Sequence, residues 1–473
     1  MGQEVDGEQY DAEAFAAFEQ VLNDETAALE QWFADQRFSH RAWMAGFELE
    51  AWLTGPDAQP LAMNDAFLHM LGSSLVVPEL SRFNVEINGS PTSLQGRAFH
   101  RLEDELNHTW EQCQDVGHEL GAHLLMIGTL PTLAPEMLNL ANMSALKRYK
   151  VLNNRLMSLR HGQPFELRID GREQIRRTHP DLMLEAAATS FQVHLQVRQV
   201  DALRLYNASL AVSGPMVAVS ANSPLLFGHD LWDETRIPLF EQAVAAGSEG
   251  WERVTFGHDY CRTSLFELFQ DNRDHYPVLI PALRDEGPAS LAHVRFHNGT
   301  IWRWNRPLIG FDHDGLPHLR IEHRVVPAGP TIIDSIANAA LFYGMLATLS
   351  RRSTPIEEAL DFDVARSNFY ACARHGLDAR IFWPGARGQV AAQTVLSDVL
   401  LPEARQGLIW LGIPSREVDH YLGVIEGRLC SGQTGARWQR RWAERHGRDL
   451  AELTLAYLER QQAGEPVHRW SLD

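Results

Sequence analysis

Cysteine is scarce in this sequence, and the few cysteines are widely separated. The 473-residue chain contains four of them, Cys113, Cys261, Cys372 and Cys430, with no CxxC pair. Closely spaced cysteines are the usual sign of a zinc cluster or a disulfide framework, so neither is predicted. The scarcity favours a protein of the reducing cytoplasm.

Basic residues are outnumbered, and targeting patterns are missing. Lysine and arginine total 42 against 61 aspartates and glutamates, which gives a formal net charge of -19. This charge repels nucleic acid and anionic membranes, so the sequence predicts neither as a partner. The first residues are acidic, unlike a secretory signal, and we find no apolar run long enough to span a bilayer. We therefore expect a soluble, cytoplasmic protein.

The familiar phosphate-binding and nucleophile loops are also missing. The sequence has neither a GxGxxG or GxxxxGKS/T phosphate loop nor a GxSxG elbow. His118 and His123 resemble a metalloprotease motif, but they are five residues apart instead of four, which puts them on different faces of a helix. A bound nucleotide would need another architecture.

Four segments instead alternate apolar residues with acids, histidine or arginine. Successive side chains of a strand point to opposite faces, so the apolar residues would enter the core while the polar ones share the other face. The segments are 47–50, 83–87, 191–197 and 319–325. The shared polar face would carry Glu48, Glu50, Glu86, His194, Glu322 and Arg324.

Helices and one further hairpin complete the predicted pattern. Apolar residues recur at helical spacing in 12–35, 102–120 and 332–349. A further helix is predicted at 143–160, and its basic and aromatic cluster at 147–150 would suit a lid or a phosphate-facing wall. Residues 291–297 and 300–306 alternate like strands and are separated by Asn298-Gly299, a hairpin signal.

This order of elements predicts an α+β fold. Strands precede helices without regular βαβ alternation, which favours an antiparallel sheet covered by helices on one side. The length would allow two or three domains. We expect a single catalytic domain, 1–473, with a mainly sheet-forming core and inserted helices in 1–330 and a helical part in 331–473.

So many acids on one face would repel one another unless cations were bound. Hard oxygen ligands with one imidazole suit Mg²⁺ or Mn²⁺ better than a dedicated zinc site. Arginines near the same face, Arg303 or Arg306, Arg324 and Arg236, indicate an anionic substrate, because metals and arginines together serve phosphoryl transfer. A single Glu-x-Glu strand is more often a solvated sheet edge. The occurrence of acids, a histidine and arginines together on several strands instead favours a site for a nucleoside triphosphate.

These segments resemble the glutamate-cysteine ligase family, particularly its bacterial second group of carboxylate-amine ligases, which share the catalytic fold of glutamine synthetase. The resemblance covers most of the chain. The similar motifs are G-I/V-E-x-E at 46–50, an acid and a Glu separated by six residues at 79–86, Ser90-Pro91, the histidine strand 193–197, S-x-x-S-P with Gly228 and Thr235-Arg236 at 220–236, TIWW…RP at 300–307 and E-x-R at 322–324. The implied fold is a curved antiparallel funnel of the glutamine synthetase and guanido kinase type.

The resemblance implies roles for the matching positions. The residues that would bind metals bridging the ATP phosphates are Glu48, Glu50, Glu79, Glu86, His194 and Glu322. Arg236, Gln196 and Asn84 would bind the amino-acid substrate. Arg303 and Arg306 would contact nucleotide phosphate. Arg306 and Arg324 would be catalytic, with Arg324 stabilising the transferred phosphoryl group or the tetrahedral intermediate.

The implied activity is an ATP-dependent ligation with small-molecule substrates. The γ-carboxyl of glutamate would be phosphorylated and then attacked by an amine, cysteine by family analogy, as in glutathione biosynthesis. Three alternatives stay open: another amine acceptor (an amino acid, a polyamine or a peptide), a non-catalytic ATP-binding regulatory member and a metal-dependent hydrolase.

The sequence departs from the family pattern at two places. Glu79 stands where better-known ligases have Asp, and 325–327 lacks the acid of many members. Nothing in the sequence identifies a cysteine pocket. A homo-oligomer is compatible with the sequence, and Glu322→Gln is expected to abolish turnover with little loss of fold.

Overall fold

A curved antiparallel sheet forms the centre of the computed structural model, which describes residues 4–246 and 251–473. Six of its strands lie in one row, in the order Asn305–Phe311, Pro317–His323, Phe191–Val197, Met44–Thr54, Asn84–Asn88 and Val76–Pro78. Thr92–Ser93 and His123–Leu125 also pair with the strand Met44–Thr54. We call Met44–Thr54 the central strand, Phe191–Val197 the histidine strand, and Asn305–Phe311 with Pro317–His323 the edge hairpin.

The register of the sheet brings its polar side chains together. Glu50 of the central strand lies opposite Glu86, and Gly46 lies opposite His194. On its other side His194 lies opposite Glu322, which in turn pairs with Arg306 across the edge hairpin. Since alternate residues of a strand share a face, these acids, His194 and Arg306 line one side of the sheet, here called the polar face.

The opposite face of the sheet is apolar and covered by two long helices. Phe47, Leu49, Val193 and Leu195 are buried there, and Gln199–Ser220 and Ile332–Leu349 pack against it. The predicted α+β class, with helices covering the apolar face of an antiparallel sheet, is confirmed.

Helices make up most of the remaining described structure. The other α-helices are Ala12–Ala34, Asn64–Leu71, Ala98–Glu119, Lys147–Leu159, Arg236–Ala243, Phe266–His275, Ala292–Asn298, Ile356–Ala359, Phe362–His375, Ala392–Val395, Leu401–Trp410, Ser415–Ser431, Gly435–His446 and Leu450–Gln462. Leu396–Leu400 is a π-helix. Short 3-10 helices are Pro135–Met137, Leu140–Asn142, Leu182–Ala187, Pro288–Ser290, Gly376–Asp378 and Val467–Arg469. Two-stranded ribbons pair Phe165–Asp170 with Gln174–His179, Leu225–Leu226 with His229–Asp230, Val254–Thr255 with Trp302–Arg303, and Arg380–Phe382 with Gln389–Ala391.

The helix Ile332–Leu349 corrects one statement made from the sequence. Its length of 18 residues and its mean hydropathy of 1.5 would suffice to cross a membrane, contrary to the expectation that no apolar run is long enough. It is nevertheless a core helix, because 89% of it is buried inside the protein. Tyr343 in this helix donates a hydrogen bond to the carbonyl oxygen of His194 at 2.7 Å, which attaches the helix to the histidine strand.

The predicted hairpin at 291–306 is wrong. The first half forms the helix Ala292–Asn298, and the second half divides between the strands Trp302–Arg303 and Asn305–Phe311. The backbone N–H groups of His293 and Val294 donate to Glu25 Oε2 at 2.8 and 2.9 Å. A carboxylate from a distant helix thus satisfies amide groups that a helix leaves unpaired at its start, which the local alternation could not indicate.

Candidate functional site

A cavity of about 520 Å³ lies against the polar face of the sheet. Its floor consists of side chains from the central strand, the histidine strand and the edge hairpin. Its walls come from three further elements, the helix Lys147–Leu159, the 3-10 helix Leu182–Ala187 and the helix Ala292–Asn298. Strands therefore supply rigid positions for the acids, and helices close the space around them.

One group of potential metal ligands combines Glu48, His194 and Glu322. One ligand atom from each lies within 4.8 Å of the others. His194 Nε2 is 3.5 Å from Glu48 Oε1 and 3.9 Å from Glu322 Oε2. Burial lowers the pKa of His194 despite the opposing charge of Glu48, so the imidazole is neutral and available as a ligand.

A second group combines Glu50, Glu79 and Glu86, whose ligand atoms also lie within 4.8 Å of one another. The Ser190 backbone N–H and Gln192 Nε2 donate to the Glu50 carboxylate at 2.7 and 2.9 Å, which orients it. Burial and the charge of Glu79 raise the pKa of Glu50 to about 7. Burial and the charges of Glu48 and Glu79 raise the pKa of Glu86 well above its ordinary value.

The donor set of both groups fits divalent cations. Glu48 Oε2 and His194 Nε2 are buried without a hydrogen-bond partner among the described residues, which leaves both atoms able to bind a cation. Carboxylate oxygens with a single imidazole suit Mg²⁺ or Mn²⁺. Burial, and then repulsion from the neighbouring acids, raises the pKa values of Glu50 and Glu86, and a bound cation would oppose both effects.

Arg306 and Arg324 both bind Glu322. Arg306 Nε and Nη2 donate to the two oxygens of Glu322 at 3.1 and 3.0 Å, and Arg324 Nη1 donates to Glu322 Oε1 at 2.6 Å. Burial tends to raise the pKa of Glu322, but the charges of the two arginines outweigh it and hold that pKa far below its usual range. Glu322 is thus a fixed carboxylate, and both arginines line the cavity beside it.

The structure does not bring Arg236 or Arg303 to the cavity. Arg236 is 2% exposed, and it donates to Glu234 Oε1 at 3.0 Å and to the carbonyl oxygen of Val325 at 2.5 Å. Arg303 donates to Asn272 Oδ1 at 2.6 Å, and its guanidinium lies over the ring of Tyr276. Both side chains are used in packing the fold, behind the surface that the cavity exposes.

Gln196 and Asn84 are on strands of the sheet but are likewise outside the cavity lining. Gln196 Nε2 donates to Asp312 Oδ1 at 3.2 Å, near the end of the edge hairpin. Asn84 accepts a hydrogen bond from the Ser81 hydroxyl and orders the loop that precedes its strand. Their strands were predicted correctly, but both amides contact neighbouring protein groups.

Several cavity residues had no role in the sequence analysis. Gln192 and Arg320 line the cavity because they lie two residues from His194 and Glu322 on the same strands. Strand alternation was a signal that could have found them. Glu185 also lines the cavity, but it belongs to the 3-10 helix Leu182–Ala187, whose sequence has no comparable signal. The predicted basic wall contributes Arg148 with Tyr149, while Lys147 and Lys150 are exposed.

Comparison with known proteins identifies relatives of this chain. The model of the family described as glutamate-cysteine ligase family 2 (GCS2) matches residues 30–456. A putative glutamate--cysteine ligase 2-1 of Rubrobacter xylanophilus is 27% identical over 273 residues, which are 54% of this chain and 63% of that relative. The aligned region therefore spans less than two thirds of the relative's length.

Two solved structures share the fold. A glutamate--cysteine ligase (gshA) from Francisella tularensis in complex with AMP has a TM-score of 0.59 and 11% identity, with 92% of this chain and 91% of that chain covered. A bifunctional glutathione synthetase from Pasteurella multocida has a TM-score of 0.54 and 11% identity, with 92% of this chain and 54% of that chain covered.

Proposed function

The chain belongs to glutamate-cysteine ligase family 2, and we propose that it is an ATP-dependent carboxylate-amine ligase acting on glutamate, with cysteine as the default amine. The observation that carries this proposal is the pair of three-ligand groups on one polar face, with Arg306 and Arg324 beside them. The AMP complex of the Francisella relative supports a nucleotide substrate.

The six side chains of the two groups would hold Mg²⁺ or Mn²⁺. When bound, such ions neutralise phosphate charge and act as Lewis acids and templates for in-line transfer. We assign Glu48, His194 and Glu322 to one cation and Glu50, Glu79 and Glu86 to another. Each assigned group places one ligand atom per residue within 4.8 Å of the others, which is close enough for one cation to contact all three.

The arginines would stabilise charge that develops during phosphoryl transfer. Arg324 is fixed by Glu322 and by Gln192 Oε1, to which its Nη1 donates at 2.6 Å. A guanidinium held in this way needs little reorganisation when negative charge develops next to it. We propose that Arg324 contacts the transferred phosphoryl group and Arg306 the nucleotide phosphates. Arg236 and Arg303, being committed to other contacts, are proposed to support the fold.

In the proposed reaction, a carboxylate oxygen of glutamate attacks the γ-phosphorus of ATP, and ADP leaves. The amine nitrogen then attacks the carbonyl carbon of the acyl phosphate. The new C–N bond forms, the C–O bond to phosphate breaks, and phosphate leaves with the bonding electron pair and takes up the proton that the nitrogen loses. The positions of the reactants are set by binding, which supplies most of the catalysis in such transfers.

The test is ADP release measured with glutamate and a panel of amines, with the product identified by mass. We expect ADP release that depends on glutamate, Mg²⁺ and an amine, with an amide product. Turnover with another amine but not with cysteine would show that the acceptor is that amine, while the proposed ATP-dependent amide formation would stand. ATP binding without ADP release for any carboxylate and amine would overturn the ligase proposal in favour of a regulatory member.

A further inference from the structure

We propose that Glu4 is a positioning residue for Glu79, a member of the second metal-ligand group, and that it acts through the helix Lys147–Leu159. The carboxylate of Glu4 fixes the start of this helix, and the helix in turn holds the loop that carries Glu79. This inference rests on the assignment of Glu50, Glu79 and Glu86 to a cation, but it does not depend on which substrates enter the cavity. Glu4 is outside both metal-ligand groups and outside the cavity lining that the described residues form.

The helix Lys147–Leu159 contributes a wall of the cavity but has no cap within its own sequence. Leu146, at the position before the helix, makes no side-chain hydrogen bond to it. The first turn contains no acid and carries the cations Lys147, Arg148 and Lys150. The start of a helix has unpaired N–H groups and a partial positive charge, so these cations add repulsion there. A stable start therefore requires an acceptor from elsewhere in the chain.

Glu4 supplies that acceptor, although it lies 143 residues before Lys147 in the sequence. Its Oε2 accepts a hydrogen bond from the backbone N–H of Lys147 at 3.1 Å, and its Oε1 accepts one from that of Arg148 at 3.0 Å. Burial tends to raise the pKa of Glu4, but the N–H groups of Val5, Arg148 and Lys147 outweigh it and lower that pKa. The ionised carboxylate therefore satisfies two backbone donors and places a negative charge at the helix start.

The segment around Glu4 is anchored between two walls of the cavity. Val5 is 3% exposed and belongs to the hydrophobic core. The carbonyl oxygen of Glu4 accepts a hydrogen bond from Arg284 Nη2 at 3.0 Å. The guanidinium of Arg284 lies 4.8 Å from the centre of the ring of Phe296, which lines the cavity. The Glu4 carboxylate is thus held in place before it binds the helix, whereas a free tail would lose conformational entropy on making the same contacts.

Glu79 is the member of its group whose position depends on a loop. Glu50 lies within the central strand and Glu86 within the strand Asn84–Asn88, so the ladder of the sheet fixes both. Glu79 instead follows the end of the strand Val76–Pro78. Its place beside the other two acids therefore requires contacts from outside the sheet.

Residues at the start of the helix Lys147–Leu159 supply those contacts. The hydroxyl of Tyr149, in the first turn, lies 3.5 Å from the carbonyl oxygen of Pro78. The hydroxyl of Ser144, just before the helix, donates to the carbonyl oxygen of Glu79. When the helix start frays, Tyr149 and Ser144 move with it, and the loop is no longer fixed. Loss of the Glu4 carboxylate should therefore loosen the cation site without removing any of its ligands.

The experiment compares Glu4→Ala and Glu4→Gln with a matched control, Glu8→Gln, in the full chain. Glu8 is exposed in the same segment, and its contact is with the side chain of Lys150, at 3.4 Å. Hydrogen exchange measured by mass spectrometry reports the helix start. Binding of Mn²⁺ alone, followed by loss of the EPR signal of the free ion, reports the metal-ligand groups. Both measurements are independent of turnover, and replacing the exposed Glu4 leaves no internal cavity.

For Glu4→Ala we expect hydrogen exchange in residues 147–152 to become about twofold to thirtyfold faster, as for the loss of a helix cap. The Kd of Mn²⁺ should rise about tenfold, as for the loss of a group that orients a metal ligand. Glu4→Gln keeps an acceptor oxygen without the charge, so both of its effects should lie between those of Glu4→Ala and the wild type. Glu8→Gln should match the wild type in both measurements.

Three results would overturn the inference. Unchanged exchange in Glu4→Ala would show that the helix start is stable without Glu4. Faster exchange with an unchanged Kd of Mn²⁺ would show that Glu4 is a structural cap and does not position Glu79. No binding of Mn²⁺ by the wild type would overturn the cation assignment and the positioning role with it. A protein that shows the expected exchange and Mn²⁺ binding but releases no ADP would support this inference while overturning the proposed reaction.

Discussion

The carboxylates of the polar face differ in how much of their hydrogen-bonding capacity the protein itself uses. Glu322 binds two arginines and is fully buried, whereas Glu48 Oε2 has no partner among the described residues. Removing a charge from these two residues therefore has different consequences for stability, even though we assign both to one cation.

We predict that Glu48→Gln impairs metal-dependent activity with little change in the free energy of unfolding. Glu322→Gln should impair activity and also cost about 3–5 kcal/mol of stability, because two buried arginines lose their anion. Urea unfolding of both variants without metal checks this. Equal stabilities would show that Arg306 and Arg324 are satisfied without Glu322. The sequence-based expectation that Glu322→Gln leaves the fold intact is revised on this ground.

Glu241 should make stability depend on pH away from the proposed metal site. It accepts hydrogen bonds from Trp304 Nε1 at 2.9 Å and the Tyr370 hydroxyl at 2.8 Å, and burial raises its pKa from 4.5 to about 7. Between these values the folded protein binds more protons than the unfolded chain, so stability falls as pH rises toward 7.

We predict that Glu241→Gln, which cannot ionise, becomes more stable relative to the wild type as pH rises. The gain between about pH 5 and about pH 8 should be about 1–3 kcal/mol, measured by urea unfolding. Glu111→Gln, at an exposed position, is the control and should show no such trend. A difference that is constant with pH would mean that Glu241 is already ionised at about pH 5.

At the level of elements, the alternation of apolar and polar residues predicted strands more reliably than the Asn-Gly turn signal predicted a hairpin. The histidine strand occupies the predicted residues, Phe191–Val197, and the strand Asn84–Asn88 overlaps the predicted 83–87. Predicted helices at 12–35, 102–120 and 332–349 correspond to Ala12–Ala34, Ala98–Glu119 and Ile332–Leu349. The helix Ala292–Asn298 was missed because its start depends on Glu25, far away in the chain.

We predict that Glu25→Ala destabilises the protein by about 2–4 kcal/mol, because two buried N–H groups at a helix start lose their acceptor. Since Arg295 of this helix lines the cavity, the KM of a substrate should rise as well. Urea unfolding and steady-state kinetics check both effects. Glu30→Ala, at an exposed position of the same helix as Glu25, is the control. A Glu25→Ala variant as stable as the control would refute this account of the helix start.

At the scale of the whole molecule, acids dominate both the overall charge and the cavity. The net charge is -19, and the two ligand groups concentrate six ligands, five of them carboxylates, on one face of the sheet. A cation bound there is bound only by the folded protein, because folding assembles the groups from distant strands. Binding therefore stabilises the fold by mass action.

We predict that Mg²⁺ with ATP raises Tm, and that EDTA reverses the rise. Saturation at about a hundredfold excess over Kd corresponds to about 2.7 kcal/mol. Glu48→Gln should show a smaller rise than the wild type. Sodium chloride at equal ionic strength is the control, because general screening of the acids would also raise Tm. An equal rise with sodium chloride alone would argue against a specific cation site.

The chain's local patterns were enough to indicate the sheet, the main helices and five of the six side chains that meet in two groups. The sixth, Glu79, lies outside the predicted strands and was indicated by the family resemblance. Alternation and helical spacing depend on residues a few positions apart, so they are visible without knowledge of the fold. The local patterns did not indicate three features of the structure. These are the contacts that Arg236 and Arg303 make, the start of the helix Ala292–Asn298 and the position of Glu185 in the cavity. Each of these depends on contacts between distant segments, and burial among those segments decides which charged groups are paired and which remain for a ligand.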